Sequence, residues 1–155
     1  MVHVVLSGNV DTDMFEALVQ KTCRIKQQDI TIHLCTEGGD VYVGLAMFDY
    51  IRSLPSMVTV ISSGCVMSAG MFILQAADKR FTRPHCYFLV HYGFDTQRSR
   101  SERKHNVDLD KLHEEIMLLR CKGLGPKTIT KWLNQEIYLN VDEALKYGLI
   151  DKVLE

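Results

Sequence analysis

The strongest constraint on the fold of this chain is the alternation of short apolar runs with amphipathic stretches over its first 90 residues. Four runs rich in β-branched, aliphatic and aromatic residues are predicted strands: residues 3–6, 30–35, 57–61 and 86–90. Three stretches between them are predicted helices: residues 12–23, 41–51 and 68–77. This alternation calls for right-handed crossovers and predicts an α/β fold, a mainly parallel sheet covered by helices on both faces.

The last third of the chain has a different character. Residues 93–106 are polar and partly basic, with no hydrophobic period. Two longer helices and a final strand are predicted beyond them: residues 107–121, 126–132 and 149–154. Asn140 and Glu143 have the spacing of a capping box for a short helix, and Gly148 suits its left-handed end. The length of 155 residues predicts a single domain, 1–155.

Charge and apolar content exclude several classes of function. With 18 basic and 19 acidic side chains the net charge is −1, so nothing favours nucleic acid or an anionic membrane as a partner. No apolar run is long enough to span a bilayer, and no signal peptide is recognised, so we expect a cytoplasmic location. The five cysteines lie far apart without a C-x-x-C pair, and we interpret them as structural rather than as disulfide or metal-binding residues.

Three predicted turns at the carboxyl ends of strands hold residues suited to catalysis. Residues 37–40 contain a Gly-Gly pair, residues 63–70 contain Ser68, and the last turn begins with His91. A serine at a helix start lies near unpaired amides, and the amide of Ala69 after it can donate to an oxyanion. A histidine at a strand end can accept the proton of that serine. Together the turns predict a nucleophile, a base and oxyanion donors at one edge of the sheet.

Each of these features also has a purely structural interpretation. A serine at a helix start is most often a cap, and a glycine pair is most often a tight turn. A histidine after a strand is commonly a partly buried polar residue with one satisfied nitrogen. Their joint occurrence on neighbouring turns favours the catalytic interpretation.

Four ordered motifs resemble the proteolytic subunit of the Clp protease, the ClpP family, and the resemblance covers nearly the whole chain. Residues 64–74, Gly-Cys-Val-Met-Ser-Ala-Gly-Met-Phe-Ile-Leu, are similar to the nucleophile segment of the family, with Ser68 in the serine position. Residues 79–91 resemble its Lys-Arg-Phe-x-x-Pro-Asn stretch and the strand that delivers its histidine. Residues 34–41 take the place of its Gly-Gly oxyanion turn, and residues 143–151 resemble its closing Glu-Ala-x-x-Tyr-Gly-Leu-Val-Asp segment.

The resemblance implies a serine endopeptidase with the ClpP and crotonase-like superfold, which cleaves unfolded polypeptides and needs no cofactor or metal. Ser68 would attack the scissile carbonyl, His91 would take its proton, and the amides of Gly39 and Ala69 would bind the oxyanion. The third triad member of the family is an aspartate, and Glu136 takes its position here. We expect Glu136 to orient the histidine. If it is instead a surface carboxylate, a Ser–His dyad remains.

The resemblance also implies how peptides bind and how subunits assemble. Asp40 and Val41, as a strand after the Gly-Gly turn, and Gly93 and Phe94, after the histidine, would pair with an extended polypeptide. A protruding handle over about residues 93–135 would stack two heptameric rings into a tetradecamer. An AAA+ unfoldase is the expected partner of this homo-oligomer.

Departures from the family pattern leave alternatives open. Glu37 replaces a proline before Gly-Gly, so a looser oxyanion turn is expected. The chain begins close to its first strand, where the family carries an axial gate, and we expect that gate to be shortened or absent. One alternative is therefore a catalytically weak or inactive ClpP-like subunit that binds or modifies a Clp protease complex. Another is a crotonase-like enzyme acting on acyl-thioesters, although such enzymes require neither Ser68 nor His91.

Overall fold

The structure of the protein, a computed structural model, describes residues 1–26, 28–92 and 100–155. Along this part of the chain the elements are β1 (Val2–Val10), α1 (Thr12–Thr22), β2 (Ile30–Gly39), α2 (Val41–Ser53), β3 (Val58–Met67), α3 (Gly70–Ala76), β4 (Lys79–Thr82), β5 (Tyr87–Val90), α4 (Arg100–Arg120), α5 (Pro126–Gln135), β6 (Ile137–Leu139), α6 (Val141–Lys146) and β7 (Lys152–Val153).

The described strands form one sheet. Strands β1, β2, β3, β4 and β7 lie side by side in that order, and each neighbouring pair is parallel. The long strand β3 pairs with β4 through its first half and with β5 through its second half, again in parallel. Strand β6 is antiparallel to β5. The predicted α/β fold with a mainly parallel sheet is confirmed.

The first three strands extend through residues that the sequence predicts as turns. Strands β1, β2 and β3 end at Val10, Gly39 and Met67, whereas their predicted ends were three or more residues earlier. Gly8 and Gly38, with φ of 101° and 102°, allow the chain to bend where the ladders shift register. As a result the glycine pair and the residue before Ser68 belong to the sheet itself.

Two strands have no clear signal in the sequence. β4 and β6 are only four and three residues long, too short to show an alternating pattern. Their extended conformation is instead set by pairing, β4 with β3 and β6 with β5.

Several helix ends agree with the capping signals in the sequence. The Asp11 carboxylate caps α1 by accepting the N–H of Met14 at 3.0 Å. Asn140 and Glu143 make both hydrogen bonds of the capping box that begins α6. Gly148, with φ of 77°, lies just beyond the end of that helix, as predicted.

Helix α4 differs most from its prediction. It begins at Arg100, well before the predicted start, because its first turns are polar in sequence and so show no apolar period that would predict a helix. The helical spacing of Leu112, Ile116 and Leu119 in the sequence predicts one buried apolar stripe, and this is partly wrong: Ile116 is buried, but Leu112 and Leu119 are 38% and 73% exposed. The buried face of α4 includes His113 instead.

Helix α3 lies at the centre of the molecule. All seven of its residues are buried, and it contacts α2, α4 and the strands β2, β3 and β5. Because this helix follows Ser68 directly, the candidate nucleophile is attached to the most buried element of the fold. No helix among the described residues is long and apolar enough to cross a membrane.

The cysteine interpretation holds for four residues out of five. Cys86 and Cys121 are buried, Cys35 and Cys65 are half-buried, and all five are free thiols. Cys23 is exposed at the end of α1, so the structural interpretation does not hold for it. Within the described residues, no group of three or more His, Cys, Asp or Glu side chains is arranged to hold a metal ion.

Candidate active site

Ser68 lies on a strained turn between β3 and α3. Its φ of 51° is in the left-handed region, which costs a residue other than glycine roughly 1–3 kcal/mol. Its N–H donates to the carbonyl of Leu89 in β5 at 3.1 Å, and this bond fixes the turn. Ala69 is the N-cap of α3, so Ser68 lies one residue before the position predicted for it. A strained serine between a strand and a buried helix is typical of a nucleophile turn.

The pairing of β3 with β5 brings His91 to the same edge of the sheet as Ser68. Met67 lies opposite Leu89 in the parallel ladder, and Ser68 and His91 follow where the two strands end. The His91 residue is buried, at 8% exposure. The two residues that the sequence places far apart therefore lie on adjacent strand ends.

Glu136 contacts the histidine from the other side. The antiparallel ladder pairs Val90 with Ile137, so His91 and Glu136, which flank that pair, face each other. His91 Nδ1 lies 3.3 Å from Glu136 Oε1. Glu136 is also in the left-handed region, with φ of 53°, at the end of α5. The backbone at Glu136 is thus strained where its carboxylate reaches the imidazole.

Gly38 of the glycine pair packs directly onto the nucleophile turn. A Cβ on Gly38 would lie 2.7 Å from Ser68 Cβ and 3.3 Å from the nitrogen of Ala69. A Cβ on Gly39, whose φ is 152°, would lie 2.4 Å from the carbonyl oxygen of Val10. No side chain fits at either position, because Gly38 lies against the nucleophile turn and Gly39 lies against the end of β1. In the described part of the chain the Ala69 N–H donates to no backbone carbonyl.

A threonine holds this glycine turn in place. The Thr36 hydroxyl accepts the N–H of Gly38 at 3.0 Å and donates to the carbonyl of Gly8 at 2.6 Å. Glu37, where the family has proline, is exposed. The turn is therefore tied to β1 by hydrogen bonds rather than stiffened by a proline ring.

The prediction of a strand at Asp40 and Val41 is wrong. Asp40 is the N-cap of α2, where its carboxylate accepts the N–H groups of Tyr42 and Val43, and Val41 is the first helical residue. The Asp40 N–H donates to Val10 and its carbonyl accepts from Gly44, so Asp40 has no free backbone donor for a peptide. Gly93 and Phe94, the other predicted peptide-binding residues, lie outside the described part of the chain.

Sequence reasoning missed a second buried imidazole near the first. His113 of α4 is 7% exposed and packs against Phe72 of α3 with ring centroids 4.8 Å apart. Burial, and then the charge of nearby His91, lower the pKa of His113 to about 4. In the described residues its Nε2 has no hydrogen-bond partner. His113 lies on a helix whose sequence is mostly polar, so the sequence gave no signal that this side chain is buried.

Comparison with known proteins gives one consistent result. The Clp protease family model matches residues 1–155. The ATP-dependent Clp protease proteolytic subunit 2 of Pseudomonas aeruginosa is 32% identical, over 97% of this chain and 80% of that protein. The protein of the same name from Treponema denticola is 29% identical over the same shares. Among solved structures, ClpP1 from Listeria monocytogenes superimposes with a TM-score of 0.90 at 25% identity, over 99% of this chain and 91% of that one.

Proposed function

The chain belongs to the Clp protease family and is a serine-type endopeptidase subunit, and we propose that Ser68, His91 and Glu136 perform its chemistry. The observation that carries this assignment is the strained turn at Ser68. The N–H of Ser68 is hydrogen-bonded to β5, the strand that His91 directly follows. The 3.3 Å contact of His91 with Glu136 adds the third member of the site.

The proposed reaction follows the acyl-enzyme course of serine hydrolases. Ser68 Oγ attacks the scissile carbonyl while His91 takes the hydroxyl proton and then delivers it to the leaving amine. The Glu136 carboxylate accepts the Nδ1–H of His91, which orients the ring and stabilises its charged form. Water, deprotonated by His91, then hydrolyses the Ser68 ester and releases the second product.

The amides of Gly39 and Ala69 are proposed to bind the oxyanion. Ala69 supports this role because its N–H has no backbone acceptor in the described structure, and Gly38 packs beside it. Donors fixed before the reaction stabilise a developing oxyanion without having to reorganise. The family carries another residue at the position of Ala69, directly after the nucleophile. This difference leaves the donor intact, because the donor is the backbone N–H.

Peptide binding is proposed at Gly93 and Phe94, which follow His91 closely in the sequence, and not at Val41, which is the first residue of helix α2. Backbone pairing to an extended chain would read few side chains, which suits cleavage of unfolded polypeptides. Asp40 is assigned a different role, since its carboxylate caps α2 and its N–H is already bonded.

Members of the Clp protease family form ring oligomers and work with Clp ATPases. For this chain we propose heptameric rings stacked as a tetradecamer, a cytoplasmic location and an AAA+ unfoldase as the partner. The 21-residue helix α4 supports the proposal of a handle that contacts a second ring, because its Leu119 is apolar and 73% exposed. Size measurement of the purified particle, combined with cleavage of a fluorogenic peptide, tests this assembly.

Labelling of the assembled protein with a serine-directed phosphonofluoridate tests the nucleophile. We expect one adduct, on the peptide that contains Ser68, because only an activated serine displaces fluoride at a useful rate. Ser68→Ala should abolish both labelling and peptide cleavage. Ser63→Ala is the matched control, because Ser63 is an exposed serine of β3, the strand that precedes Ser68. This variant should change neither labelling nor cleavage.

The peptide-cleavage assay also tests the proposed triad. Glu136→Gln should lower kcat on the order of 100-fold, because the amide no longer stabilises the imidazolium. Glu16→Gln, which neutralises an exposed carboxylate of α1, should leave kcat unchanged. An assembled particle that neither labels nor cleaves from about pH 6 to 9 would support the non-catalytic subunit instead.

A further inference from the structure

One carboxylate oxygen of Glu114, on α4, is shared by two other segments of the chain. The Tyr92 hydroxyl donates to Glu114 Oε1. The Thr130 hydroxyl of α5 lies 2.9 Å from the same oxygen. Thr130 is also 2.9 Å from the carbonyl of Pro126, and its single proton is donated to one of the two acceptors at a time. Glu114 thus links the segment after β5 to both α4 and α5.

Tyr92 is the residue directly after His91, and it is anchored at both ends. Its N–H donates to the carbonyl of Leu133 in α5 at 3.0 Å. Burial, followed by the hydrogen bond and charge of Glu114, raises the pKa of the Tyr92 phenol. The phenol therefore keeps its proton and remains a donor to the carboxylate.

These anchors lie on both sides of the contact between His91 and Glu136. His91 precedes Tyr92, and Glu136 follows Leu133 by less than one helical turn at the end of α5. The Glu136 side chain is 58% exposed, so burial alone does not hold it against the imidazole. The 3.3 Å contact depends instead on how the segment after β5 sits against the end of α5.

We propose that Glu114 is a positioning residue of the peptidase, which ties Tyr92 to α5 and thereby sets the approach of His91 to Glu136. The inference rests on the proposed function, since it takes His91 as the base and Glu136 as the carboxylate that orients it. Glu114 itself touches neither the nucleophile turn nor the glycine pair in the described contacts, so it acts through Tyr92 and Thr130.

Docking of α4 onto the molecule does not require Glu114. His113, Ile116 and Met117 of the same helix are buried at 7%, 6% and 0% exposure, and they provide its apolar contact with the core. A substitution that removes only the carboxylate charge should therefore leave the protein folded. This separates positioning of the site from support of the fold.

Steady-state kinetics of Glu114→Gln and Tyr92→Phe test the proposal. Each should lower kcat roughly tenfold with KM nearly unchanged, because small displacements of catalytic groups slow chemistry without weakening substrate binding. The double variant should be no slower than Tyr92→Phe alone, since Glu114→Gln weakens the same hydrogen bond that Tyr92→Phe removes. Tyr92→Phe changes no charge, so its effect reports position rather than electrostatics.

Controls distinguish the possible results. Glu115→Gln alters an exposed carboxylate next along α4 and should leave kcat unchanged. If Glu114→Gln fails to fold, Tyr92→Phe and Thr130→Val each cut one link while keeping the side-chain shape. If Tyr92→Phe and Thr130→Val fold, label normally at Ser68 and keep the wild-type kcat, the role of Glu114 is overturned. The proposed function would still stand in that case. Activity that survives in Ser68→Ala would overturn the proposed function itself.

Discussion

At the scale of single residues, backbone strain marks the candidate site. Among the described residues, Ser68 and Glu136 are the two other than glycine with positive φ, at 51° and 53°. Such conformations cost roughly 1–3 kcal/mol each and persist only where the surroundings enforce them. The bond from Ser68 to Leu89 and the pairing that begins at Ile137 supply that enforcement. Strained residues next to His91 in both directions support the proposed catalytic site.

His113 gives a prediction at this scale. Because the pKa of His113 is lowered from its ordinary 6.5 to about 4, only the unfolded chain binds a proton there between these pH values. Stability should therefore fall as the pH drops through this window, by up to about 3 kcal/mol. His113→Leu should reduce that loss, as measured by urea unfolding at pH values on both sides of the window.

The control for this prediction is a histidine without burial. His85 is exposed, and His85→Gln should leave the pH dependence as in the wild type. Equal acid sensitivity of the His113→Leu variant and the wild type would contradict the buried neutral imidazole.

At the scale of elements, the end of β2 forms one wall of the site. The glycine pair continues the strand instead of ending it, and Val10 of β1 pairs with Gly39. The Thr36 hydroxyl joins this end to both Gly38 and Gly8. Two strands of a rigid sheet thus hold backbone amides beside Ser68, which is how preorganised donors are usually built.

Gly38→Ala tests this arrangement. A methyl group there would meet Ser68 Cβ at 2.7 Å and Met67 O at 2.9 Å, so the turn must shift. We expect kcat to fall on the order of 100-fold, the cost of about 1 Å of misplacement, in a protein that still folds.

Gly8→Ala provides a matched control for backbone strain. Gly8 has nearly the same φ, 101° against 102°, but an added Cβ would meet nothing within 4 Å. Both variants carry the cost of a side chain at positive φ, and Gly38→Ala adds a steric clash, so it should lose more stability than Gly8→Ala. Only Gly38→Ala should lose activity in the peptide-cleavage assay. Equal kcat in the two variants would show that strain alone, and not contact with Ser68, matters.

At the scale of the whole molecule, a buried arginine joins distant parts of the chain. Arg80 of β4 has a side-chain exposure of 6%. Its guanidinium contacts both carboxylate oxygens of Asp151, with Nε 3.2 Å from Oδ2 and Nη2 against Oδ1. It also donates to Gln75 of α3 at 2.6 Å and to the carbonyl of Gly148 at 2.8 Å. The closing segment is therefore fastened to the central helix through one guanidinium.

Asp151→Asn should destabilise the fold, because it leaves the Arg80 charge buried without its carboxylate. We expect a loss of about 2 kcal/mol, less than for a fully buried pair since Asp151 is 39% exposed. Arg52→Gln breaks the exposed pair with Asp78 and should cost under about 1 kcal/mol. Urea unfolding of both variants measures the difference, and equal losses would refute the central role of Arg80.

The same scale shows which parts of the fold could be predicted. The parallel strands β1 to β3, the cap at Asn140, and the turns with Ser68 and His91 all follow from local patterns. Strand β6 and the buried side of α4 did not, because a three-residue strand has no period and a polar helix does not reveal which face it buries. The expected strand at Asp40 failed because a capping carboxylate favours helix there.

The sequence by itself determined which residues could act and which elements carry them, since these depend on neighbours along the chain. The resemblance predicted that Glu136 orients His91, and the tertiary structure places the two side chains 3.3 Å apart. Only the tertiary structure decided that His113 is buried near His91 and that Glu114 joins Tyr92 to α5. Each of these contacts joins residues at least 16 positions apart in the sequence. Such contacts arise when the sheet and helices pack, so no local pattern encodes them.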